Sequence, residues 1–236
     1  MRPYGLKTLT AKTITVGKIP EALKYVYVDY ASGAYIDFNV TMHKLAPGLA
    51  FHMFETTFGG NASSPNTWTI DPGVIVAVHE QSEIRLGKGG SEVSNLAAVG
   101  TAADPIIFTT DAANHGKTPE PGSWNGILIF PDNIQGEKTK FDYVKFEYAG
   151  GMSPQGKIYH CADREDQAAA IMLKGAPNNK KGPSITNSTF ANSQGQAIRI
   201  DNNLGTPVVP NDYTKAEYKN KFIGFTGSPQ SPAACE

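Results

Sequence analysis

The chain has 236 residues, 40% of them hydrophobic and 18% charged, enough apolar material for one large domain or two small ones. Basic and acidic residues balance at 21 and 22, a net charge of −1. This removes the electrostatic case for nucleic acid or an anionic membrane as partner, and no apolar run approaches the ~18 residues of a spanning helix.

In chain order, the opening MRPYGLKTLT lacks the apolar segment of a signal peptide. The chain therefore reads as cytoplasmic, or as a mature or recombinant fragment whose leader was removed. Residues 20–24 are a weak helical candidate, too short to stand alone. Short runs rich in Val, Ile, Phe, Tyr and Thr follow at 25–30, 35–40, 74–78, 106–109, 127–130, 143–148, 170–173, 185–190, 197–200 and 222–225. Gly, Asn, Asp and Pro punctuate them, so they read as strands separated by turns.

These runs repeat. APGLAFHMFE (46–55) aligns with DPGVIVAVHE (71–80) at an offset of 25, AAIML (169–173) with QAIRI (196–200) at 27, and TFAN (189–192) with KFIG (221–224) at 32. A drifting period of 25–32 with very short strands predicts a β-solenoid of six or seven coils rather than a propeller, with a β-sandwich as the alternative. A single coil cannot bury its inner face; stacking coils closes the backbone ladders and builds a continuous core. Val74, Val76, Ile107, Ile127, Ile129, Val144, Phe146, Ile171, Ile185, Ile198 and Ile200 are expected to point inward. Asn residues in ITNSTFANS suit left-handed corner positions. The offset of 27 sets Met172 under Arg199 and Lys174 under Asp201.

Four segments, TWTIDPGVIV (67–76), LAAVGTAADPIIFTTD (96–111), PGSWNGILIF (121–130) and FDYVKFEYAGG (141–151), occur in that order, followed by SITNSTFANSQGQAIRI (184–200). Together they resemble the right-handed parallel β-helix domains of the pectate-lyase-like superfamily, more narrowly secreted or lipid-anchored bacterial surface proteins of that fold. The resemblance implies an all-β, right-handed parallel β-helix at the outer cell surface or outside the cell. Residues 1–66 match only loosely and are expected to form an N-terminal cap and first coil, with 67–236 forming the β-helix and its C-terminal tail. A solenoid end needs a cap because it exposes core and strand edges.

Candidate site residues are few. Asp163, Arg164, Glu165 and Asp166 cluster before a strand, and Arg199 and Asp201 lie in the following coil. These oxygens and guanidinium groups suit a glycan-binding surface, and the carboxylates could contribute to a Ca²⁺ site; no other cofactor is indicated. The bland reading of the cluster is a solvated loop of weak ion pairs. Trp124 is expected to cover a coil corner rather than to stack on a sugar. Cys161 and Cys235 do not form a metal-binding pair; they read as two thiols or as one disulfide pinning the tail. His52 and His79 lie 27 residues apart in matching coils and are expected to be near neighbours, but no recognised zinc-ligand spacing is present. Serine-nucleophile and phosphate-loop motifs are absent. The expected function is a non-catalytic, exported β-helix that serves as a surface structural or binding module for a glycan or an envelope protein. The alternatives are a polysaccharide lyase or hydrolase on an acidic glycan, implied by the resemblance alone, and a subunit of an extracellular assembly.

Overall fold

A computed structural model describes residues 25–28, 34–87, 92–130, 134–151, 168–174, 182–201, 211–225, 227 and 229–233. The described strands wind into successive coils. The first coil holds β1 (Tyr25–Val28), β2 (Ala34–Ile36) and β3 (Val40–Met42), and the second β4 (Ala50–Met53), β5 (Thr56–Phe58) and β6 (Asn66–Ile70). The third holds β7 (Ile75–Val78), β8 (Glu83–Leu86) and β9 (Ser94–Val99), and the fourth β10 (Ile106–Thr110), β11 (Gly126–Ile129) and β12 (Lys140–Asp142). The fifth holds β13 (Val144–Glu147), β14 (Ala169–Lys174) and β15 (Ser184–Thr186). Two coils with two described strands each complete the stack, β16 (Thr189–Ser193) with β17 (Gln196–Asp201), and β18 (Lys221–Phe225) with β19 (Gln230–Ala233).

Every ladder between these strands is parallel, and the strands sort into three sheets of seven, seven and five. The first sheet runs β1-β4-β7-β10-β13-β16-β18, and the second and third collect the later strands of each coil. This is a parallel β-helix. Strands β1 to β5, which precede residue 67, extend the same sheets as the later ones. Among the described residues no helix is long and apolar enough to cross a membrane. The helical candidate at 20–24 lies outside them.

The sequence repeats coincide with the structural register. Phe51 sits beside Val76, 25 residues on. Ile171 sits beside Ile198, 27 on, and Thr189 beside Lys221, 32 on. Burial alternates along β3, β10 and β13, as one inward face requires. Val76, Ile129, Val144, Phe146, Ile171, Ile185, Ile198 and Ile200 are buried in one continuous core. An aromatic column runs up it: Phe108, Phe146, Phe190 and Phe222 stack with centroids 5.5, 4.8 and 5.5 Å apart.

Ile107 departs from expectation. Its neighbours Ile106 and Phe108 are buried, so the period of two turns Ile107 outward, where it lines a groove beside its register partner Ile75. The runs at 35–40 and 185–190 also each span a corner rather than forming one strand. Apolar content alone does not show where a strand bends. At the second of these corners Asn187 adopts φ +48°, and its amide donates to Asp142 of the preceding coil at 2.7 Å. A short polar side chain tolerates this left-handed backbone and ties adjacent coils together.

Candidate metal centre

The corner between the first and second sheets carries the densest cluster of titratable side chains among the described residues. Three coils build it. His52 lies within β4, and its register partner in β7 is Ala77. Phe51 and Met53 point into the core, so His52 faces the outer side of the sheet, where the small Ala77 leaves room for the ring to reach toward the next coil. His79 follows β7 directly, and its N–H continues the ladder by donating to the Met53 carbonyl at 2.8 Å. Asp111 follows β10 in the same way, donating to the Val78 carbonyl at 3.0 Å. The β7–β10 register places Thr110 beside Val78, so Asp111 falls beside His79.

The chain then turns through a 3₁₀ helix, Ala112–His115, closed by Gly116 at φ +70°. Ala112 N–H donates to Thr110 Oγ1 at 3.1 Å and Asn114 N–H to the Asp111 carbonyl at 2.8 Å. This turn brings His115 back over Asp111, four residues before it.

All three imidazoles converge on one oxygen. Asp111 Oδ2 accepts hydrogen bonds from His52 Nε2 at 2.5 Å, His79 Nδ1 at 2.8 Å and His115 Nε2 at 2.9 Å. The other oxygen, Oδ1, accepts the backbone N–H of Glu80 at 3.2 Å. Phe54 packs against the rings of His52 and His79, with centroids 4.9 and 4.6 Å away, and Tyr25 meets His52 edge-on. Accessibility is graded: Asp111 and His52 side chains are 0% and 1% exposed, His79 31% and His115 42%. Burial pushes the Asp111 carboxyl up, but the hydrogen bonds from His52 and His79 outweigh it and hold the carboxyl well below its usual range.

A fully buried carboxylate needs a compensating positive charge. Here a protonated imidazole or a metal ion can supply it. The four donor atoms, one from each side chain, all lie within 4.8 Å of one another. Three imidazole nitrogens and one carboxylate oxygen suit zinc, copper, nickel or cobalt, whereas calcium and magnesium take oxygen donors. A tetrahedral zinc with bonds of about 2.0–2.1 Å sets its donors about 3.4 Å apart. To admit the ion, the Asp111–His separations must therefore open by somewhat under 1 Å, and the widest separations in the group, up to 4.8 Å, must close by about 1.4 Å. The Glu80 N–H on Asp111 and the Phe54 ring on two imidazoles are the kind of outer contacts that orient metal ligands.

Apart from His52 and His79, the residues singled out from sequence fall elsewhere. Asp163, Arg164, Glu165, Asp166, Cys161 and Cys235 lie outside the described residues, as does His160. Arg199 is on β17, opposite Met172, and is 2% exposed. Asp201 ends the same strand with its backbone in register with Lys174. Trp124 is fully buried, and its Nε1 donates to the Glu147 carbonyl at 2.8 Å. His43 pairs with Asp71 at 2.7 Å, away from the cluster. His52 and His79 are neighbours, with ring centroids 5.7 Å apart.

Sequence reasoning missed Asp111 and His115. Two signals were available. Aligning the strand after Asp104-Pro105 on the strand after Asp71-Pro72 brings Asp111 within one residue of His79. Asp111 and His115 also stand four apart, a spacing that one helical turn brings together.

No family model, curated protein or solved structure matches the chain.

Proposed function

We propose that this protein is a binding module built on a parallel β-helix, whose ligand is a divalent transition-metal ion held by His52, His79, Asp111 and His115. One observation carries the reading: three imidazoles from three segments converge on a single buried carboxylate oxygen at 2.5–2.9 Å. Surface ion pairs seldom gather this way, because each ordered side chain costs entropy and an exposed pair returns little. The wider setting of an exported, non-catalytic surface module of the pectate-lyase-like superfamily rests on the motif order in residues 67–200, and a glycan or envelope protein as its partner follows from that resemblance.

The test is a zinc titration of chelator-treated protein against a chromophoric competitor, run beside calcium and magnesium. The expected result is one zinc bound per chain, with proton release, since the ligands must be deprotonated to coordinate. Calcium and magnesium should not compete. The same zinc affinity in wild type and in His79→Ala would overturn the assignment.

A further inference from the structure

Given the metal reading above, on which this inference rests, the geometry points to an ion whose solvent-facing position is left open by the protein and is filled by a small monodentate anion or by water. Burial supplies the first argument. The donors do not surround the ion evenly. Asp111 and His52 form a buried floor, whereas His79 and His115 stand at the rim with their rings partly in solvent. An ion bonded to all four therefore has its inner side covered by protein and its outer side turned toward water between the two rim imidazoles.

The second argument is donor count. Asp111 gives one oxygen only, because Oδ1 is engaged by the Glu80 N–H. Among the described residues no fifth His, Cys, Asp or Glu joins the group. Glu80, which follows His79 in the chain, is drawn aside: Lys117 Nζ donates to Glu80 Oε2 at 2.5 Å. Four protein donors complete a tetrahedron, so the outer ligand joins by expansion to a fifth position, on the accessible face between His79 and His115.

Charge supplies the third argument. Three neutral imidazoles and one carboxylate leave a divalent ion with a formal charge of about +1. Glu80 and Lys117 cancel each other beside it. A small anion neutralises the remainder, and Lys117, two residues beyond His115, keeps the Glu80 carboxylate from taking that place or repelling the anion. The ligand class is thus a compact monodentate anion such as azide or a simple carboxylate, in competition with water. A bulky ligand meets the rim rings, and a cation is repelled.

Cobalt substitution tests this directly on the full chain. The chelator-treated protein is loaded with Co²⁺, its visible spectrum is recorded, and azide and acetate are titrated in at constant ionic strength, with perchlorate as the control for salt. The expected result is a saturable change in the cobalt bands with azide and acetate, none with perchlorate, and weaker azide binding in Lys117→Ala. A cobalt spectrum that forms normally but does not respond to either anion overturns the open position and leaves the metal site standing. Failure of cobalt and zinc to bind at all overturns the metal reading itself, and this inference with it.

Discussion

The corner between the first two sheets is used twice along the solenoid, in opposite ways. After β7 and β10 it carries His79 and Asp111, which reach sideways to His52 and His115 and leave a charged group in the interior of the corner. Past β13 and at the end of β16 it carries Ala149 and Ser193, both fully buried, and a backbone hydrogen bond closes it: Gln194 N–H donates to the Ala149 carbonyl at 2.9 Å. There the coils approach so closely that a Cβ on Gly150, at φ +87°, would stand 2.1 Å from the Gln194 carbonyl oxygen. The scaffold is the same in both places. In the early coils titratable side chains fill the corner, and in the late coils small residues leave it to close backbone packing. Fold and site are thus separable in this protein, and mutations should separate them.

The largest expected effect belongs to the late coils. Phe190 stacks between Phe146 and Phe222 in the aromatic column and is fully buried. Phe190→Ala should cost about 3–5 kcal/mol, the usual range for a core aromatic replaced by alanine. Denaturant unfolding measures it. If the comparison holds, zinc affinity at 25 °C under native conditions should stay within a few-fold of wild type, because no ligand lies in that column.

Next comes the early corner. Zinc at about 100 times its dissociation constant should stabilise wild type by about 2.7 kcal/mol, since the ion binds the folded chain. Asp111→Asn keeps the size of the side chain and removes the anionic donor. Its zinc-dependent stabilisation should fall to about 0.4 kcal/mol or less at the same metal concentration, with affinity lower by at least about 100-fold. Equal zinc stabilisation in the variant and wild type, read as the shift in urea midpoint, would show that the corner is a hydrogen-bonded imidazole cluster and nothing more.

The two corners were also unequally legible in the sequence. Offsets of 25, 27 and 32 gave the register of three ladders to the residue, because inward positions must repeat wherever coils share one core. Asn187 was legible for a similar reason: few residues accept φ +48°. Ile107 was not, since three consecutive apolar residues, Ile106, Ile107 and Phe108, carry no alternation to show which faces inward. His52 and His79 were recognised as neighbours, yet the cluster was not, because its ligands come from three coils of unequal length. His52 is in register with Ala77, two residues short of His79, and reaches the site diagonally. No fixed spacing expresses such a reach, and Asp111 sits 32 residues beyond His79 rather than 25. Functional groups at solenoid corners lie where coil length varies most, so the repeat that reveals the scaffold conceals the site.

A smaller effect tests how the late corner closes. Gly150→Ala places a Cβ against the Gln194 backbone in a left-handed conformation. The conformational term alone is about 1–2 kcal/mol. Thermal unfolding should show at least that loss. The corresponding change in the early half, Gly116→Ala, meets no atom within 4 Å and carries the conformational cost only. The difference between the two variants therefore isolates the close approach of coils at the late corner. Equal destabilisation would mean that the corner yields easily, and that backbone contact is not what holds it shut.

The smallest effect is at Lys117. Its ammonium meets Glu80 at 2.5 Å, but the lysine side chain is 61% exposed, so solvent and salt screen the pair. Lys117→Ala should change unfolding free energy by less than about 1 kcal/mol, and that difference should shrink as salt is raised. The variant still bears on the early corner. Glu80 donates its backbone N–H to Asp111, while its carboxylate is held outward by Lys117. Released, that carboxylate is free to swing toward the ion and fill its outer position. Zinc affinity should then hold steady or rise slightly while anion binding weakens, a combination that loss of a purely structural contact does not produce. Zinc and azide titrations on the same preparation read both quantities. A parallel fall in both would mean that Lys117 supports the fold of the Ala112–His115 turn rather than the charge balance of the site.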